Sequence, residues 1–244
     1  MKKKDKKNLL SQKLSEIFRD LPRGSVLDLG CGDGDSSANL KAMGFNVTAA
    51  DMDRNRFRHH DRIPFKSCVL SEPLPFTNSA FDYVLFSEVI EHLRNPFFVT
   101  QEISRVLNKG GTLILTTPNI LNLGSRMRFL FEGSFDFFRE PTLDYTWLNP
   151  NNVQNMHIVV WRYQELEYLL FESGLNVKQV YTDLAKPNLK ILSFFLLPLL
   201  KFHCYLRRKR SARKGGVNYG RVDKILFSRE LLYGRHLILK ATKE

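Results

Sequence analysis

The chain has 244 residues, 43% of them hydrophobic, which suffices for one large domain with a real core. Its three cysteines, Cys31, Cys68 and Cys204, are widely spaced and odd in number; this excludes a disulfide framework or a zinc-ligand pattern and points to a reducing compartment. The formal net charge of +12 is uneven: residues 1–20 hold seven Lys/Arg against three Asp/Glu, residues 21–185 hold fifteen against nineteen, and residues 186–244 hold fifteen against three, so the basic ends point to an anionic surface, lipid or nucleic acid, rather than to the chemistry of the body.

The basic start, MKKKDKKNLL, is followed by no long apolar region with a cleavage site, and no signal peptide is expected. Leu10, Leu14, Ile17 and Phe18 predict an amphipathic helix over 8–20, ended by Pro22 and Gly24. Val26–Leu29 reads as a buried strand, 36–43 as a helix stopped by Gly44, and Val47–Ala50 as a second strand ending at Asp51. A third strand is expected at 67–70, a fourth at 81–86, a helix over 95–107, a turn at Asn108–Gly111 and a fifth strand at 112–116. Strands alternating with helices argue for a parallel sheet covered on both faces. Residues 120–156 are too long for an ordinary connection and rich in aromatics, among them Phe129, Phe131, Phe135, Phe137, Phe138, Tyr145 and Trp147. They are read as a small helical subdomain that also covers the site. A helix is expected over 161–174 and a last strand at 236–242.

The stretch VLDLGCGDGDSS, Val26–Ser37, carries the chemistry. Gly30-Cys31-Gly32-Asp33-Gly34 is G-x-G-x-G, with Asp35 where a dinucleotide fold wants its third glycine, and no lysine follows as a P-loop requires. Three carboxylates, Asp28, Asp33 and Asp35, would repel a phosphate. Asp51 closes the second strand, where a carboxylate can accept hydrogen bonds from both ribose hydroxyls. A nucleoside without phosphates but with a positive charge fits this arrangement, as S-adenosylmethionine does. Glycines would let the backbone approach it closely, and Asp28 would favour its cationic end. Asp33 and Asp35 read as turn and helix-capping residues, and Asp51 is preferred to Asp53 because it ends the apolar run.

Three further stretches, LPFTNSAFDYVLFSEVIEHLRNP at Leu74–Pro96, EISRVLNKGGTLILTTPN at Glu102–Asn119 and HIVVWRYQELEYLLFESGLNV at His157–Val177, extend the pattern. In this order and spacing they resemble the class I S-adenosylmethionine-dependent methyltransferases, in the large group that includes the ubiquinone-biosynthesis-like enzymes. The resemblance covers roughly residues 24–183. It implies a doubly wound, mostly parallel seven-stranded α/β sheet of Rossmann-like type in a single domain over 1–244, with an aromatic lid insertion at 120–157 and a hydrophobic-basic insertion at 186–232. It assigns Asp28, Gly30, Cys31, Gly32 and Gly34 to the cofactor loop, Asp51 to the ribose and Met52 to the side of the adenine. Ser87 and Glu88 fall at the edge of the methionine and acceptor site. Many relatives carry an acid near the third strand for the adenine amino group; Leu70 occupies that position here, leaving Ser71, Glu72 or a backbone carbonyl for the role. His92 reads as a structural histidine. His157 is the first candidate for a general base and Glu88 the second; no metal site is expected.

The run Ile191–Leu200 is ten residues long with Pro198 inside, too short for a bilayer span, which needs about 20 residues. Arg207, Arg208, Lys209, Arg210, Arg213 and Lys214 follow. That pairing suits an anionic membrane surface better than nucleic acid, because the aromatics group with aliphatics rather than among the cations. The expected protein is therefore a cytoplasmic methyltransferase, peripheral on the inner face of a membrane. Relatives with a TTPN stretch and an aromatic lid resemble modifiers of cell-surface glycans or lipid-linked sugars, so a sugar hydroxyl leads as acceptor. The alternatives are a quinone or polyprenyl-phenol O-methyltransferase, an RNA-binding methyltransferase and a non-catalytic cofactor-binding regulator. Ser87-Glu88-Val89-Ile90 lacks the proline-aromatic motif of enzymes that methylate amino groups of DNA bases.

Overall fold

The computed structural model of the chain describes residues 3–138, 159–183, 189–212 and 220–244. After helix α1 (Lys3–Arg19) come β1 (Ser25–Leu29), α2 (Asp35–Ala42), β2 (Asn46–Asp51), β3 (Phe65–Ser67), β4 (Phe81–Ser87), α3 (Pro96–Val106) and β5 (Leu107–Pro118). Then follow α4 (Leu123–Glu132), α5 (Tyr163–Glu172), β6 (Leu175–Tyr181), α6 (Leu189–Ala212), α7 (Gly220–Leu226), α8 (Arg229–Tyr233) and β7 (His236–Lys243). The seven strands lie in the order β3-β2-β1-β4-β5-β7-β6. β7 is antiparallel to both neighbours and the other pairings are parallel.

Alternation along the strands explains both covered faces. Leu27, Leu29, Val84, Phe86, Leu113, Leu115, Leu237 and Leu239 pack on the side of α3 and α5, with Ile103 and Leu166. Val26, Val47, Ala49, Tyr83, Leu85, Ile114 and Ile238 pack against α1 and α2, with Leu14, Phe18 and Leu40. The strand order reverses between β1 and β4, and in an open sheet of this kind ligands sit beyond the carboxyl ends at that point. Because β7 runs backwards, its first residue, His236, lies at the same end of the sheet as the last residues of β4 and β5, with His236 paired to Pro118.

Two strands differ from expectation. The third is Phe65–Ser67, in register with Ala49–Asp51, rather than 67–70. Beyond Ser67 only the Cys68 amide still reaches the Asp51 carbonyl, at 3.0 Å; Cys68 and Leu70 then turn into the core, which is why their apolar run resembles a strand. The Asn108–Gly111 turn is an irregularity inside β5, which pairs from Leu107, with a register shift opposite Phe81 and Tyr83. Gly110 takes a positive φ of 75° there.

Candidate cofactor and acceptor site

The glycine-rich loop bridges β1 and α2 beneath the end of β2. The amides of Gly30 and Cys31 both donate to the Ala50 carbonyl, at 2.7 and 3.1 Å. Gly30, Gly32 and Gly34 have φ of 74°, 56° and 84°, the left-handed region open to glycine. The three differ in their surroundings. A Cβ on Gly30 would lie 2.5 Å from Val89, and one on Gly34 would lie 2.4 Å from the Phe57 ring, so these two glycines admit the protein's own side chains. At Gly32 the nearest atom is the Arg56 guanidinium carbon at 3.6 Å, so its face of the loop is open.

Asp51 is held ready at the end of β2, its Oδ2 accepting from the Gly32 amide at 2.9 Å and its Oδ1 from the Asp53 amide at 3.0 Å. Asp53 itself accepts from the Asn55 amide and caps the short 3-10 turn Arg54–Arg56. Met52, beside Asp51, is 59% exposed, an apolar side chain largely open to solvent. Asp28 is buried below the loop, accepting the Ser37 hydroxyl, and burial pushes its pKa up to about 6. Its charge therefore acts from underneath the loop. Cys31 belongs to the loop through its backbone; its thiol packs into the core, where burial raises its pKa. Ser71 is exposed on the turn after β3, and Leu70 packs partly against the core. Asp33 accepts from the Asp35 amide as a turn residue should, but the residue capping α2 is Gly34, and Asp35 falls inside the first turn. An open glycine face, an adjacent fixed carboxylate and an exposed apolar side chain form a donor set that fits an adenosine bearing a cationic group.

At the end of β4 the chain bends sharply: Glu88 has a φ of 56°, uncommon for a residue with a side chain. Thr116, fully buried on β5, fixes the bend. Its hydroxyl donates to Glu88 Oε1 at 2.8 Å and accepts from the Glu88 amide at 3.1 Å. Having one proton, it leaves Ser87 as donor in their 2.9 Å contact. The other carboxylate oxygen, Glu88 Oε2, lies 3.4 Å from His236 Nε2. On the far side of the imidazole, Nδ1 is 2.7 Å from Asp183 Oδ2, and Asp183 Oδ1 accepts from the His236 amide at 3.0 Å. Phe137 lies against the imidazole with ring centroids 5.5 Å apart, and the Arg235 guanidinium sits over Phe137. Burial disfavours the imidazolium, but the charges of Glu88 and Asp183 and the Asp183 hydrogen bond outweigh it and raise the pKa of His236. Glu91 is buried one turn further along, accepting from Thr117 Oγ1 at 3.1 Å; burial, and then the charge of Glu88, hold its pKa well above the carboxylate range.

The structure thus brings Glu88 together with two residues that sequence reasoning missed, His236 and Asp183. The only local sign was a histidine opening the last strand. His157 lies outside the described residues, as do Tyr145 and Trp147 of the aromatic segment. His92 is in a 3-10 turn, Ile90–His92. The asparagine of TTPN serves the fold. Buried Asn119 donates to the carbonyls of Glu230, Leu231 and Gly234, tying the end of β5 to α8.

The sequence model of the family described as "Methyltransferase domain" matches residues 2–180. The chain is 29% identical over 169 residues to the rat mitochondrial ubiquinone biosynthesis O-methyltransferase, covering 64% of this chain and 45% of that protein. It is 29% identical over 191 residues to the ubiquinone biosynthesis O-methyltransferase of Rickettsia canadensis, covering 74% and 75%. The match spans less than half the length of the mammalian relatives. Among solved structures, an S-adenosylmethionine-dependent methyltransferase from Archaeoglobus fulgidus aligns over 97% of this chain and 94% of its own, with a TM-score of 0.58 and 15% identity. The Haemonchus contortus phosphoethanolamine N-methyltransferase 2, in complex with S-adenosylmethionine, aligns over 95% and 52% with a TM-score of 0.54 and 16% identity. Likeness at that identity carries the fold alone. With the family model matched across most of its length, the chain belongs to the methyltransferase-domain family, that of the S-adenosylmethionine-dependent methyltransferases.

Proposed function

We propose that the chain methylates a hydroxyl group, on an aromatic ring of the kind that quinone biosynthesis presents. The observation that carries a hydroxyl acceptor is the Asp183–His236–Glu88 group at the carboxyl ends of the strands. When bound, S-adenosylmethionine supplies an electrophilic methyl group with its leaving group already attached. The loop Gly30–Gly34, Asp51 and Met52 would hold it. The protein's own work is then to align the acceptor and remove its proton. A neutral amine can attack first and lose its proton afterwards, whereas a hydroxyl needs a base as the new bond forms. Glu88, partly exposed and oriented by Thr116, is the group to take that proton, and the imidazole behind it steadies the carboxylate. The likeness to ubiquinone biosynthesis O-methyltransferases and the aromatic cover that Phe137 gives the group support an aromatic ring as the acceptor.

The test offers methyl-labelled S-adenosylmethionine with two acceptors, a polyprenylated dihydroxyphenol and a lipid-linked saccharide. The expected product is the phenyl methyl ether, identified by mass spectrometry. Label in the saccharide alone would restore the glycan reading, and label in neither would reject the proposal. Glu88→Gln should cut turnover roughly 10²–10⁴-fold while cofactor affinity barely changes. Asp183→Asn should shift the pH-rate profile by lowering the pKa of His236, an effect that a merely structural role would not produce. His157→Ala is the parallel test of the histidine expected from sequence.

A further inference from the structure

Helix α6 is amphipathic the wrong way round for a protein surrounded by water. Phe194, Phe195, Leu199, Phe202 and Tyr205 are between 58% and 77% exposed, and Leu206 is 37% exposed. At about 100° per residue these six positions fall within one arc of about 140°. The opposite side of the helix, which includes Ser193, Leu196, Leu200 and Arg207, is the one turned to the protein. So the more aromatic face points outward. α4 packs against α6 and adds exposed Leu130 and Phe131.

The charges around this face are ordered too. No acidic residue occurs from Leu189 to Val222. Exposed Lys201 and Arg210 fall about 20° outside the two margins of the apolar arc, and Lys209 lies at its C-terminal end. Arg207 and Arg208, by contrast, are turned to buried Asp223, at 2.7 and 2.5 Å. Two arginines therefore anchor the helix, and the outer cations flank the apolar face. Among the described residues no helix is long and apolar enough to cross a membrane.

We infer that α6 docks on an anionic phospholipid bilayer, lying in its plane with the aromatic face among the acyl chains and the flanking cations at the headgroups. Flanking cations with a buried apolar arc are the arrangement such an interface requires. A second copy of the chain, docked through the same face, would bring like charges together. RNA would be better served by aromatics interleaved with the cations than by an aromatic and aliphatic face bordered by them.

The test is co-sedimentation of the full chain with vesicles of phosphatidylcholine, with and without phosphatidylglycerol. Binding is expected only to the anionic vesicles. It should weaken between about 0.1 M and about 1 M salt, as the screening length falls from about 10 Å to about 3 Å. Phe195→Ser with Phe202→Ser should reduce partitioning about tenfold or more for each residue. Lys201→Glu with Arg210→Glu should reduce it at least about fivefold for each. All four side chains are exposed, so both variants should keep the calorimetric affinity for S-adenosylmethionine, which certifies their fold independently of vesicles and of any acceptor. Wild-type chain that ignores anionic vesicles overturns the inference, as does binding that both variants retain. A dimer that the phenylalanine variant dissolves would make the occupant a second copy. Retention of RNA without vesicle binding would make it nucleic acid.

Discussion

Gly32 and Gly34 stand two residues apart in one loop and resist substitution for different reasons. Both have a positive φ, which costs an alanine about 1–2 kcal/mol. At Gly34 the new methyl would also strike Phe57, so Gly34→Ala should cost about 2–4 kcal/mol of stability in total and clearly lower the unfolding midpoint. At Gly32 there is room in the protein, so Gly32→Ala should cost only about 1–2 kcal/mol of stability and chiefly weaken cofactor binding. Denaturation alongside calorimetry separates the two. Glu91 yields a second prediction at this scale. Its folded pKa is raised above the unfolded value by burial and then by Glu88, so its contribution is fully present below the ordinary carboxylate pKa of about 4. It is lost as pH rises through the folded value. Glu91→Gln keeps an acceptor for Thr117, so the variant should gain on the wild type as pH rises, read as diverging urea midpoints. Neither Glu91's environment nor the Asp183–His236 contact was legible in the sequence. The second joins the first residue of β7 to a residue just beyond the end of β6, and only the pairing of those two strands makes them neighbours.

At the scale of elements, α6 depends on Asp223, which is 2% exposed and receives both Arg207 and Arg208. Asp223→Ala should cost about 1.5–3 kcal/mol, the range for hydrogen bonds to charged groups, towards the lower end because the arginines reach solvent. Hydrogen exchange should quicken in the C-terminal turns of α6 and in α7, while β1, β4 and β5 stay protected. The elements of the central sheet were the readable ones. Val26–Leu29 and 81–86 are buried on both faces, so their apolar runs are unambiguous, and Asn95 with Pro96 marks the start of α3. The third strand was displaced because Cys68 and Leu70 are apolar for core packing rather than for pairing. α6 was seen as an apolar run and a basic cluster but not as one helix, since Pro198 within it is a poor helix residue. The division of its arginines between an anchor and a free surface depends on Asp223, which lies in another helix.

For the molecule as a whole, a ligand that binds only the folded chain adds to its stability. At a hundredfold excess over its dissociation constant, S-adenosylmethionine or S-adenosylhomocysteine should add about 2.7 kcal/mol, a rise in melting temperature of roughly 5–10 °C for a domain of this size. Asp51→Ala, which removes the carboxylate held by Gly32 and Asp53, should weaken binding by about 1–3 kcal/mol and shrink that rise at fixed ligand concentration. Differential scanning fluorimetry reads both. The placement of β7 also governs how the chain reaches this state. β5 pairs with β4 and β7, and Thr112 must find Thr242 far along the chain. Until it does, β5 shows an open edge built on Leu113, Ile114 and Leu115, and β6 has no partner among the described strands. Closing such a distant contact is slow, and an unpaired apolar edge invites pairing with other chains. Refolding should therefore pass through a stage with amides of β1, β4 and the β4-facing side of β5 protected and those of β6 and β7 still exchanging. The yield should fall as protein concentration rises, because the lifetime of that edge competes with aggregation.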